Sequence, residues 1–137
     1  LPKQPALVVI DMTYDFCGAP GMDAVSAATE RRTACGPSAW QAVPLIARVL
    51  TAARQAKMPI AYSRRSAMRL RRKSPKTARA TEDAKPFSAA EDGNSIITEL
   101  APDTPDLVFG KGAPSIFFET EFPAWFTGHE CDGLFIV

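Results

Sequence analysis

The run Leu7-Val8-Val9-Ile10, leading straight into Asp11, constrains this chain more than any other stretch. Four consecutive apolar residues with no alternation suit a strand buried on both faces, as in a parallel sheet covered by helices. Asp11 is then predicted at the carboxyl end of a central strand, where open α/β sheets bind ligands. A partly desolvated carboxylate at that place is a candidate proton acceptor. The simpler alternative is that Asp11 caps the turn or helix that follows. Leu107-Val108-Phe109-Gly110-Lys111-Gly112 has the same plan, a short strand ending in a charged residue, here a lysine between glycines.

Between these two strands the chain has α/β rhythm. Val43, Ile46, Val49, Leu50 and Ala53 recur at helical spacing and predict one apolar stripe. Each large aliphatic buried there contributes roughly 1.5–3 kcal/mol. Ser38 can cap an early start, which puts Pro44 inside the helix; otherwise the helix starts near Pro44. Lys57 suits the last turn and Pro59 blocks continuation. Ile60-Ala61-Tyr62-Ser63 reads as a second strand, completing a right-handed βαβ unit, with Arg64 and Arg65 at its carboxyl end. Glu91-Asp92-Gly93-Asn94 reads as a turn. Thr120 is expected to cap a short helix with Pro123 in its first turn. Phe122, Trp125 and Phe126 on that helix are expected to pack as core. Leu134-Phe135-Ile136-Val137 is a further strand.

The chain has 137 residues, 46% of them hydrophobic, enough for one modest core. Its net charge of +1 gives no global field toward nucleic acid or membrane. No apolar run is long enough to cross a bilayer. Nine of the sixteen Lys and Arg residues fall between Arg64 and Lys85. With no interleaved aromatic before Phe87, that stretch is expected to be a solvated excursion and not a nucleic-acid patch. The three cysteines, Cys17, Cys35 and Cys131, show neither a CxxC pair nor ligand spacing, which argues against a disulfide scaffold and a zinc site and for a reducing, cytoplasmic setting. Cys17 has no readable cationic context, and Cys131 precedes the last strand, so neither is expected to be a nucleophile. The one histidine, His129, is expected at the surface.

Taken together, Ile10-Asp11-Met12-Thr13-Tyr14-Asp15-Phe16 and Val108-Phe109-Gly110-Lys111-Gly112-Ala113-Pro114-Ser115-Ile116-Phe117-Phe118 resemble the isochorismatase-like cysteine hydrolases. The resemblance runs from Ala6 to Val137, takes in Cys35-Gly36-Pro37-Ser38-Ala39-Trp40 and Asp92-Gly93-Asn94, and looks closest to the N-carbamoylsarcosine amidase branch. It implies a three-layer α/β/α fold with a parallel sheet of order 3-2-1-4-5-6. Strands 1 to 4 lie here, so residues 1–137 are expected to be the amino-terminal part of a single hydrolase domain, with strand 4 as an uncovered apolar edge. The implied catalytic residues are Asp11, Lys111 and a cysteine following the strand Leu134–Val137, expected beyond Val137, so this span alone is expected to be inactive.

The implied activity is hydrolysis of a C–N bond in a small amide or ureido compound through a thioester. Phe16 would lie beside the substrate, and Arg64 would fork onto a carboxylate or ureido group. Asp15 reads as a turn-capping residue. Nicotinamidase relatives carry an Asp and His cluster where this chain has Ser63-Arg64-Arg65-Ser66, so no metal and no cofactor are expected. The relatives are often oligomeric, which implies a homo-oligomer. Three alternatives stand beside this reading: isochorismatase-type cleavage of a vinyl ether, a non-catalytic binding subunit, and a phosphotransferase of the haloacid dehalogenase type. The last wants a second acid where Thr13 stands.

Overall fold

The computed structural model describes residues 2–66 and 93–137. Strands β1 (Pro5–Ile10), β2 (Ile60–Arg65), β3 (Leu107–Lys111) and β4 (Gly133–Ile136) form one parallel sheet in the order β3-β2-β1-β4. This is the expected 3-2-1-4 arrangement. The central β1 is buried on both sides, with Ala6, Leu7, Val8 and Val9 fully inaccessible. That burial explains its unbroken apolar run.

Helices α1 (Tyr14–Cys17), α2 (Ala24–Glu30), α3 (Pro37–Gln55) and α4 (Phe122–Gly128), with a 3₁₀ turn at Thr98–Leu100, surround the sheet. Strand alternation sorts the core into two layers. Leu7, Val9, Ile60 and Tyr62 pack with Val43, Ile46, Leu50 and Ala53 of α3. Val8, Ala61 and Phe109 pack on the other face with Ile116 and with Phe122 of α4. Phe122 stacks on Phe109 with ring centroids 5.4 Å apart, so the aromatic cluster serves as core at its centre. The result is three layers, α3 on one side and α4 on the other.

Several local expectations need correction. Helix α3 begins at Pro37 behind a Gly36 cap and carries Pro44 inside it, so Ser38 is not the cap. Gly36 has φ +57 and a Cβ there would meet Ala27 Cβ at 3.2 Å, two reasons for glycine. Pro44 lies on the exposed face of the helix, where water can replace the hydrogen bond its ring cannot make. Val49 is 42% exposed, because at 100° per residue it falls at the margin of the stripe that Ile46, Leu50 and Ala53 define. Lys57 lies past the end of α3 at φ +54, with its N–H on the Arg54 carbonyl. In α4 the cap position belongs to Glu121; the Thr120 hydroxyl accepts from Phe122 N–H and donates to the Ile116 carbonyl.

β4 forms one edge of the sheet and shows Phe135 and Ile136 to solvent. Among the described residues no helix is long and apolar enough to cross a membrane. The basic stretch lies outside the described residues except for Arg64 and Arg65.

Candidate active site

Asp11 ends β1 in a left-handed conformation, φ +55. A non-glycine residue there costs about 1–2 kcal/mol, a cost that aspartate bears better than most. The conformation turns the chain sharply from the central strand toward α1 and leaves the carboxylate at the carboxyl end of the sheet. Both carboxylate oxygens are held. Ser63 Oγ donates to Oδ1 at 3.0 Å, and Lys111 Nζ lies 2.6 Å from Oδ2. The Asp11 N–H donates to the Ser63 carbonyl at 3.2 Å. Sheet register accounts for these meetings: Ile10 pairs with Ser63, and Arg65 with Lys111. Both side chains of the ion pair are largely buried, Lys111 at 11% and Asp11 at 17% exposure.

Beside this pair lies a cavity of about 280 Å³ lined by Asp11, Phe16, Arg65, Lys111, Ala113 and Pro114. The structure thus brings Asp11, Lys111 and Phe16 together. It does not bring Arg64 to them. Residues alternate along β2, so Arg64 shares a side with Ile60 and Tyr62 and emerges into solvent, whereas Arg65 shares the side of Ser63 and enters the cavity. Arg65 is the residue that the sequence reading missed. Counting the alternation from Ile60 would have found it.

Asp15 is also corrected. It caps no turn; its carboxylate binds Arg31 through Oδ1 and lies 3.2 Å from Arg65 Nη2 through Oδ2. Its N–H donates to the Gly93 carbonyl at 2.7 Å, which joins α1 to the turn before the 3₁₀ segment. The side chain of Asn94, read as part of a turn, brackets the Arg65 backbone: Oδ1 accepts its N–H at 2.9 Å and Nδ2 donates to its carbonyl at 2.8 Å.

None of the three cysteines lines the cavity. Cys17 is buried, and burial first, then the neighbouring Cys35 and Glu99, pushes its thiol up to about 11. Cys131 precedes β4 at the end where Gly133 pairs with Pro5, opposite the Asp11 end. His129 is exposed, its Nδ1 2.9 Å from the Trp125 carbonyl oxygen. Among the described residues no group of three or more His, Cys, Asp or Glu side chains is placed to hold a metal ion. A carboxylate fixed against an ammonium, at the open end of a parallel sheet, can accept a proton and steady a neighbouring anion.

A family model described as the isochorismatase domain matches residues 5–137. The chain belongs to the isochorismatase family. Among solved structures, N-carbamoylsarcosine amidase from Thermoplasma acidophilum is similar with a TM-score of 0.70 and 24% identity, over 98% of this chain and 66% of that one. A cysteine hydrolase from Pseudomonas syringae pv. phaseolicola gives 0.72 and 20%, over 97% and 58%. An isochorismatase family protein from Desulfovibrio vulgaris gives 0.65 and 24%, over 96% and 64%. At these identities the likeness is one of fold, and the chain spans less than two thirds of the length of each of these isochorismatase-fold proteins. No curated protein matches the chain in sequence.

Proposed function

We propose that this chain carries the base and the cation of a cysteine-dependent hydrolase that cleaves a C–N bond in a small amide or ureido compound. The observation that carries the reading is the 2.6 Å contact between Lys111 Nζ and Asp11 Oδ2 at the mouth of the cavity. Membership of the isochorismatase family supports a hydrolase, and the likeness to N-carbamoylsarcosine amidase favours a ureido or amide substrate. This reading puts the nucleophilic cysteine after the strand that β4 represents. Val137, at that end of β4, accepts a hydrogen bond from Ile10 N–H at 2.8 Å, so a turn following it would come alongside Asp11.

In this mechanism Asp11 takes the thiol proton as the sulfur attacks the carbonyl carbon. Lys111 stabilises the carboxylate and the developing thiolate. The C–N bond breaks, the departing nitrogen receives the proton from Asp11, and a thioester remains. Water then adds to the thioester, Asp11 takes its proton, and the acid and thiol are released. Phe16 supplies an apolar wall. Neither a metal nor a cofactor takes part, and a reducing cytoplasmic compartment suits a free thiol. The test is ammonia release from an N-carbamoyl amino acid by the full-length protein. Iodoacetamide is expected to abolish it and a chelator to leave it unchanged. Chelator-sensitive activity that survives alkylation would refute the reading.

A further inference from the structure

Arg65 is held in place before any ligand arrives. Asn94, itself only 6% exposed, fixes the Arg65 backbone through both of its amide atoms. The guanidinium lies over the Phe16 ring, 5.6 Å from its centroid, and Nη2 lies 3.2 Å from Asp15 Oδ2. Asp15 gives its other oxygen to Arg31. Among the described residues, the contact with Asp15 leaves most of the five guanidinium N–H donors of Arg65 available, on a side chain that lines the cavity. Asp11, by contrast, has both oxygens engaged by Ser63 and Lys111. The cavity therefore presents an ordered guanidinium with open donors beside an Asp11 carboxylate that is already matched.

We propose that Arg65 is a specificity residue that binds a carboxylate of the substrate, and that Asn94 and Asp15 are the residues that position it. This rests on the reading that the cavity holds the substrate, and it narrows the substrate class to small amides or ureides bearing a carboxylate. A planar fork of N–H groups matches a carboxylate with two parallel hydrogen bonds. Because its rotamer is fixed by Phe16 and Asp15, little ordering is left to oppose binding. The register that pairs Arg65 with Lys111 sets the spacing. Adjacent strands lie about 4.8 Å apart, so the carboxylate must sit within a few bonds of the carbonyl carbon that faces Asp11 and Lys111.

The test separates binding from turnover. The probe is 4-oxopentanoate, which keeps the carbonyl-to-carboxylate spacing of N-carbamoylglycine but has no C–N bond to cleave; its neutral counterpart, also without a C–N bond, is 5-hydroxypentan-2-one. Calorimetric titration of the full-length protein is expected to show the anion binding about tenfold to a hundredfold more tightly than the alcohol. Arg65→Gln is expected to erase that preference and Arg65→Lys to retain part of it. Asp15→Asn is expected to weaken anion binding more than alcohol binding, with all three variants checked by thermal melting. Equal binding of anion and alcohol, no saturable binding of either, or a preference that survives Arg65→Gln would overturn the proposal. Hydrolysis of N-carbamoylglycine is followed separately. Anion binding without hydrolysis would refute the reaction and leave the carboxylate site standing.

Discussion

Gly93 lies against the guanidinium of Arg31 so closely that a Cβ at position 93 would fall 2.8 Å from Arg31 Cζ and collide with Asp15 Oδ1 as well. The Asp15–Arg31 ion pair is what crowds this position and favours glycine. Gly93 leaves space for the Asp15–Arg31 contact, and its carbonyl accepts the Asp15 N–H. Gly93→Ala is expected to push the ends of the Arg31 and Asp15 side chains aside and to destabilise the fold by about 1 kcal/mol, the low end of what overpacking costs. Arg31→Ala removes one of the colliding groups, so the double variant is expected to cost less than the sum of the two. Thermal melting of the four proteins checks this. A Gly93→Ala protein that melts with the wild type would show that the contact yields freely.

The buried Cys17 makes a prediction about pH. Its thiol is pushed from 9.0 up to about 11, chiefly by burial. The folded protein therefore binds more protons than the unfolded chain as pH rises past 9. The contribution is fully present below about pH 9 and is lost between about 9 and 11, at no more than roughly 1.4 kcal/mol per pH unit. Denaturant melts across this window, compared with Cys17→Ala, are expected to show the extra slope in the wild type alone. At pH 8 a thiol reagent is expected to label exposed Cys35 well before Cys17. Equal labelling rates would contradict the burial argument and reopen Cys17 as a reactive thiol.

At the sheet edge, Phe135 and Ile136 are 49% and 58% exposed on a strand whose outer side has no partner among the described residues. Such an edge templates pairing with another chain. A protein of residues 1–137 is expected to associate at micromolar concentration, and Phe135→Lys with Ile136→Lys to shift it toward monomer in light scattering. Monomeric behaviour of the unmodified span would contradict this.

Some of the architecture was written locally and some was not. The unbroken run before Asp11 and the Lys111 strand end are local signals, each complete within a few residues, and they place the ion pair correctly. Thr13 to Phe16 and Gly93 to Asn94 are different. Asp15 was readable as a turn residue because its partners, Arg31 and Arg65, are 16 and 50 residues away and nothing in the local pattern announces them. Arg64 and Arg65 are chemically identical neighbours, and only the two-residue period of β2 separates the solvent side from the cavity side. Pro44 misdirects in the opposite way. Proline weakens a helix in isolation, yet tertiary burial of Val43, Ile46 and Leu50 carries α3 through it.

As the base of a hydrolytic site, Asp11 cannot be replaced by asparagine without loss of turnover, and the variant to make is Asp11→Asn in the full-length protein. The substitution keeps size and the Ser63 contact but removes the proton acceptor. Initial rates of ammonia release from an N-carbamoyl amino acid, wild type against variant, are the measurement. A fall in kcat of about 10²–10⁴-fold is expected, with KM changed little. Wild-type protein that releases no ammonia, or an Asp11→Asn variant that keeps its kcat, would contradict it.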